Sequence, residues 1–447
     1  MSFAIDFWNK MVNRTPRGSP GISLGLLVVD GQITTKHYVL PHQRRAEHVV
    51  ILGKSGTGKT SLIKSMIAQD VRDGNGFLCI DLHGDLTPFV LGRIAELEQR
   101  TGVDLSKRTV IFNPAGSSSS VGLNILRTDG ALAPHISEVV AVLRGRWQLD
   151  HFGARTEELL RNSLWVLAEH GLTLTELAPF LTDLGFRAAL VERTSNPEIR
   201  AYFRERYEQL SEAMQTVVRE AILNKVSAFT TDPTIRHIVG QQESLDLRDA
   251  LDRGLWIILQ LNKSSLGENS ETLASLILTR FKNAVYARRS RKLFTLYADE
   301  VQNLVSSGNT FDHLLSEARK FGVSVVTANQ HLGQYPAQVR AALFSAGTNL
   351  FFRCSPEDAP PIARTLGGGL TVERLIGELP NRRFLIRSGN SPRVEVVASG
   401  VAHNTISSAR LVARSNSVWA KPRTKIEESI ALRRGHSPRK EALAEWD

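Results

Sequence analysis

The residues best placed to do chemistry are Gly53-Lys54-Ser55-Gly56-Thr57-Gly58-Lys59-Thr60, which follow the apolar run Val49-Val50-Ile51-Leu52. A helix candidate, Ser61 to Gln69, comes directly after them. Two glycines five residues apart, then Lys and Thr, between a strand and a helix, have the spacing of a phosphate-binding loop. The glycines let successive backbone N–H groups turn inward around a phosphate, and the helix adds its positive N-terminal end. In that reading Gly53 to Ser61 form the cradle. Lys59 reaches the β- and γ-phosphates of a nucleoside triphosphate, and the Thr60 hydroxyl holds Mg²⁺. A Gly/Ser/Thr-rich surface loop would share the composition but has no reason to match all eight positions in this setting.

Hydrolysis needs carboxylates as well, and Asp299-Glu300 ends the apolar stretch Leu293 to Ala298. An aspartate there holds the Mg²⁺ shell, and a glutamate orients and deprotonates the attacking water. A loop start or a helix cap is the structural alternative for such a pair. A second acidic cluster, Asp81-Leu82-His83-Gly84-Asp85, follows Phe77 to Ile80 and belongs at the carboxyl end of a strand, where ligands of parallel sheets bind. Asp81 reads equally as an outer magnesium or water ligand and as a turn residue. Gln330 follows the strand candidate Val323 to Ala328, where its amide can feel a γ-phosphate. Arg319, beside Lys320, ends the preceding helix. It can be donated into a neighbouring subunit's site to stabilise transition-state charge, or it can simply serve as a cation at a helix C-terminus.

Positioning these groups takes several elements. With 447 residues the chain calls for two or three domains, and 42% hydrophobic and 22% charged residues suit a globular protein. The formal net charge of +10 favours a polyanionic partner. Cys79 and Cys354, the only cysteines, sit in apolar runs and read as buried thiols. No stretch approaches the roughly 20 apolar residues of a membrane span, and no signal peptide is visible, so the expectation is a cytoplasmic protein.

Residues 1–21 read as a flexible arm. Short apolar runs alternating with helix-length segments over 22–130 and 253–406 predict an α/β fold, a mostly parallel central sheet with helices on its faces. Leu26 to Asp30 is expected as an edge strand. From 131 to 252 apolar residues recur at helical spacing instead, as in Ile136, Val139, Val140, Leu143 and Trp147. This predicts an inserted all-α domain, with a capping box at Thr173 and Glu176 after a helix stop at Gly171. Residues 407–447 read as a basic flexible tail.

Taken together, GKSGTGKT, CIDLHGDL, GLNIL at 122–126, LYADEVQNLV at 296–305 and EARKFGVSVVTANQHLGQ at 317–334 resemble the HerA/FtsK superfamily of DNA-pumping motors. Within it they look most like the soluble ATPase part of conjugative type IV secretion coupling proteins. The resemblance implies a RecA-like core, ATP and Mg²⁺ bound at the interfaces of a hexameric homo-oligomeric ring, and DNA in the central channel. Partners implied are a relaxase, a nuclease or a secretion channel. By position it gives Lys59 and Thr60 the phosphate and magnesium roles, Asp299 and Glu300 the second nucleotide motif, Arg319 the arginine offered to the neighbour, and Gln330 the polar sensor. Arg288 to Lys292, Arg382-Arg383 and the tail are candidate DNA contacts. The competing readings are an ATPase that secretes or remodels protein, distinguished by what stimulates turnover, and a nucleotide-gated scaffold, against which Glu300 argues.

Overall fold

Runs of consecutive apolar residues, rather than alternating ones, form the strands at the centre of the fold, as expected where both faces of a sheet are covered. A computed structural model describes residues 21–113, 118–128, 130–147, 153–300, 310–402 and 406–434. The arm expected over 1–21 therefore lies outside the described residues except for Gly21, which starts a strand. Eleven strands among the described residues join in one sheet: β1 (Gly21–Val29), β2 (Gln32–Pro41), β3 (Val49–Leu52), β4 (Gly76–Asp81), β5 (Thr109–Phe112), β6 (Trp256–Gln260), β7 (Phe294–Asp299), β8 (Val323–Asn329), β9 (Thr348–Phe351), β10 (Arg383–Ser388) and β11 (Val394–Ala398). Their spatial order is β2-β1-β11-β10-β9-β3-β8-β7-β4-β6-β5.

From β9 through β3, β8, β7 and β4 to β6 every pair is parallel. On the other side β10, β11, β1 and β2 add antiparallel strands. This is a RecA-like α/β core. The edge strand expected near Leu26 is one place inside the edge, because β2 covers it. That strand escapes an apolar-run criterion: Thr34, Thr35, Lys36 and His37 interrupt it, and its residues are mostly exposed or half-buried, as suits a sheet edge.

Helix α1 (Lys59–Asp73) follows β3, and Leu62, Ile63, Met66, Ile67 and Val71 on one of its faces are buried in the main core. Helix α2 (Thr87–Thr101) follows β4 and buries Phe89, Val90, Leu91 and Ile94. Beneath α1 lies an ion pair with almost no solvent contact. Arg45 Nη1 and Nη2 donate to the two Asp70 carboxylate oxygens at 2.8 and 2.6 Å. Tyr297 OH donates to Asp70 at 2.6 Å, Asn75 Nδ2 donates at 3.0 Å, and Arg45 also donates to Thr295 Oγ1 at 2.9 Å. Thr295, Tyr297 and Asp299 alternate along β7 and so share a face.

The chain divides into two compact units. The first comprises 1–111, 248–271 and 285–415 and carries the sheet. The second, 112–247 with 272–284 and the residues from 416 onward, is helical apart from a two-residue pairing of Lys421–Pro422 with Ser119–Ser120. Its helices include Leu132–Trp147, Gly153–Glu169, Leu184–Arg193 and Glu212–Thr231, with a core that takes in Leu160, Leu164, Leu167, Phe180 and Phe203. Gly171 takes a left-handed turn, and Thr173 and Glu176 form the expected capping box.

The expectation of a flexible tail over 407–447 is corrected for 407–434 by two helices, Ala409–Trp419 and Arg423–Arg433, while 435–447 lie outside the described residues. Few apolar residues suffice because each is well placed. Leu411 joins the core of the first unit, and Ile426 and Ile430, four apart on one helix face, are buried in the second. The basic residues are matched as well: Arg414 pairs with Glu98 and Arg433 donates to the buried Glu176, while Glu427 of the second helix meets Arg236 and His237.

Candidate nucleotide site

The phosphate loop leaves β3 with its backbone already fastened. Gly53 N–H donates to Asn329 O at 3.2 Å and Lys54 N–H donates to Arg353 O at 2.8 Å, so the loop is tied to the ends of both flanking strands. Gly53 is required sterically: a Cβ there would stand 2.5 Å from Cβ of Phe352. Gly58, at φ +113°, caps α1 in a conformation that side chains rarely adopt. Lys59 folds back over the loop, its Nζ donating to Gly53 O at 2.6 Å and Lys54 O at 2.9 Å. Two of the three ammonium donors are so used, and a third remains for a phosphate oxygen.

Strand order brings the carboxylates to this loop. β7 ends at Asp299, and the Thr60 hydroxyl at the start of α1 donates to Asp299 Oδ2 at 2.8 Å. Glu300 has a left-handed backbone, φ +54°, which costs a non-glycine residue about 1–2 kcal/mol. Its N–H nonetheless stays in the ladder, donating to Ala328 O at 2.9 Å. The Glu300 carboxylate meets His83 Nε2 through Oε2 at 2.7 Å and accepts from Gln330 Nε2 through Oε1. Ser55, Gly56, Gly58, Lys59, Thr60, Ser61, His83, Asp85, Asp299, Glu300 and Gln330 all line one cavity of about 410 Å³ at the carboxyl ends of the parallel strands.

Burial sets the electrostatics here. It raises the Asp299 carboxyl above its ordinary value, while the Thr60 hydroxyl and Lys59 ammonium pull the other way. It lowers the Lys59 ammonium, against Asp299 and Glu300. A hydroxyl and a carboxylate 2.8 Å apart, beside a phosphate cradle, suit Mg²⁺, which takes few protein ligands and completes its shell with phosphate and water oxygens. Asp81 also lines the cavity, and its two oxygens accept from Gly84 N at 2.8 Å and Thr87 N at 2.7 Å, fixing the loop and the first turn of α2.

Arg319 is not among the cavity's lining residues. It lies in a short 3-10 turn ahead of β8, at the amino end of the sheet, and pairs with Glu47 at 2.9 Å while remaining 61% exposed. The candidate DNA contacts divide. Arg288 is buried and donates to Phe321 O and Lys292 O at 3.0 and 2.8 Å, and burial pushes its guanidinium down to about 10; it fastens the sheet. Arg383 pairs with Glu395. Arg382, at φ +69°, donates its N–H to Thr57 O at 2.8 Å and so buttresses the phosphate loop, a placement that an Arg-Arg pair in sequence does not announce.

A sequence model of the type IV secretion-system coupling protein DNA-binding domain matches residues 33–127. No curated protein matches the chain. Among solved structures, the plasmid coupling protein TrwB bound to the non-hydrolysable GTP analogue GDPNP is 16% identical, with a TM-score of 0.57 over 88% of this chain and 98% of that one. TrwB with ADP and Mg²⁺ gives 15% and 0.57, covering 90% and 94%. VirB4 of Thermoanaerobacter pseudethanolicus gives 15% and 0.59, covering 87% and 99%. The fold is theirs, and the matched segment and motifs make the chain similar to coupling-protein ATPases. No helix among the described residues is long and apolar enough to cross a membrane.

Proposed function

We propose that this chain is an ATP-driven motor that moves DNA, working as a homo-oligomeric, hexameric ring with nucleotide at its subunit interfaces. The observation that carries the reading is the 2.8 Å contact between Thr60 and Asp299, with Glu300 next in the chain and lining the same cavity. The match of 33–127 to a coupling-protein DNA-binding domain supports DNA as the cargo, and one TrwB structure of this fold holds ADP and Mg²⁺.

Loop N–H groups of residues 55–61 and the Lys59 ammonium hold the β- and γ-phosphates, and the N-terminal end of α1 adds its dipole. Bound Mg²⁺, held by Thr60 and through water by Asp299, would neutralise charge on those phosphates. Glu300 takes a proton from water as the water oxygen bonds to the γ-phosphorus. The bond from that phosphorus to the bridging oxygen breaks, releasing ADP and phosphate. Arg319 of one subunit supplies positive charge to the next subunit's site.

The test is the steady-state rate of phosphate release with and without single- and double-stranded DNA across a salt series. Stimulation that falls steeply with salt is expected of backbone contacts. Turnover indifferent to both DNA forms but raised by a protein substrate would favour the second reading, a secretion or remodelling ATPase.

A further inference from the structure

Glu300 is the first residue past β7, and in the sheet β7 lies between β8 and β4. The residues just past the ends of those two neighbours reach its carboxylate from opposite sides. Gln330, one residue beyond β8, donates to Oε1. His83, two residues beyond β4, meets Oε2 at 2.7 Å. We infer that His83 is a positioning residue for hydrolysis, which together with Gln330 clamps the Glu300 carboxylate through both oxygens. The inference rests on the proposed role of Glu300 as the base.

The chemistry is simple. Each carboxylate oxygen has two lone-pair sites, so one hydrogen bond to each leaves capacity for a water. The 2.7 Å contact requires the proton on Nε2, which makes the imidazole the donor. The loop that carries His83 is fastened on both sides. It is closed by both Asp81 oxygens on Gly84 N and Thr87 N, and by Leu261 N on Asp81 O and Lys263 N on Leu82 O at 2.9 and 3.0 Å. An exposed His–Glu pair contributes little to stability. Its effect lies in aim, since a misplacement of about 1 Å in a reacting group can cost about 100-fold in rate.

The experiment compares His83→Ala and His83→Gln with wild type in steady-state phosphate release and in titration with a fluorescent ATP analogue. Expected for His83→Ala is a fall in kcat of about 10- to 100-fold with ATP affinity within twofold of wild type. His83→Gln, whose amide can place a donor near the same point, should recover to within about threefold of the wild-type kcat. In a Glu300→Gln background, where single-turnover hydrolysis is followed, adding His83→Ala should cost nothing further. The inference is overturned if wild type hydrolyses ATP, Glu300→Gln abolishes turnover, and His83→Ala keeps kcat within twofold. It is equally overturned if both His83 variants lose affinity and melting temperature together, which is the signature of a merely structural side chain. A wild-type protein that releases no phosphate under any condition refutes the ATPase reading itself.

Discussion

Asp70→Ala should destabilise the sheet-bearing unit severely, and the structure says by how much. The substitution removes the acceptor of two Arg45 donors, the Tyr297 hydroxyl and the Asn75 amide, all in a region where Arg45 and Asp70 have almost no solvent contact. Arg45 keeps Thr295 Oγ1 at 2.9 Å, so the guanidinium is not wholly stranded. Breaking a buried pair on one side costs about 3–5 kcal/mol. With a urea m-value of about 3 kcal/mol/M, the unfolding midpoint should fall by about 1–1.7 M. Urea melts followed by far-UV circular dichroism read this directly. The same reasoning says that removing both charges together is far milder: Arg45→Met with Asp70→Leu should lie within about 1.5 kcal/mol of wild type, because desolvation of the pair is relieved along with its attraction. A single variant costing under about 1 kcal/mol, or a double variant as damaged as the single, would refute the account.

Other expectations are more local. His48 is buried at φ +71°, its Nδ1 accepts from Val325 N at 3.1 Å, and burial first, then Arg319, lowers its pKa to about 4. A histidine kept neutral in the fold contributes stability above its ordinary value near 6.5, and that stability drains away as pH falls toward 4. At pH 5 the loss is about 2 kcal/mol relative to neutral pH, and His48→Asn, which tolerates the same backbone, should flatten that part of the stability–pH curve. Gly53→Ala should abolish ATP binding in a titration, since its methyl would press on Phe352 at 2.5 Å. Lys59→Ala and Arg319→Ala should each lower turnover at least tenfold, and mixtures of the two should recover activity if the arginine serves a neighbour. No recovery at any ratio would remove Arg319 from that role.

What could be read from the sequence followed locality. The strand, loop and helix around Gly53 to Ser61 are consecutive, so residue type and spacing show the shape directly, and the Asp-Glu pair at the end of an apolar run is nearly as plain. His83 and Glu300 are 217 residues apart, and only the spatial neighbourhood of β4, β7 and β8 joins them. The Arg45–Asp70 pair was invisible for another reason: charged residues ordinarily signal surface, and nothing local says that this arginine faces a tyrosine on β7. The C-terminal helices escape a reading by composition because arginines and lysines are frequent there and only Leu411, Ile426 and Ile430 supply buried apolar contact. The partners of those cations, Glu98, Glu176 and Glu243, are scattered along the chain, and Glu427 of the second helix meets Arg236, 191 residues away.

The phosphate loop leaves one end of β3 and Glu47, the partner of Arg319, precedes the other. Four residues of strand set these ends about 13 Å apart. Two copies related by a simple twofold present matching surfaces to each other, which suits a pair of like edges rather than an edge and its opposite. Supplying Arg319 to a second copy therefore calls for tandem, directional stacking, each copy offering its back to the next one's front. Such a chain of copies either closes on itself or grows without limit, and one subunit blunted at its front face would terminate it.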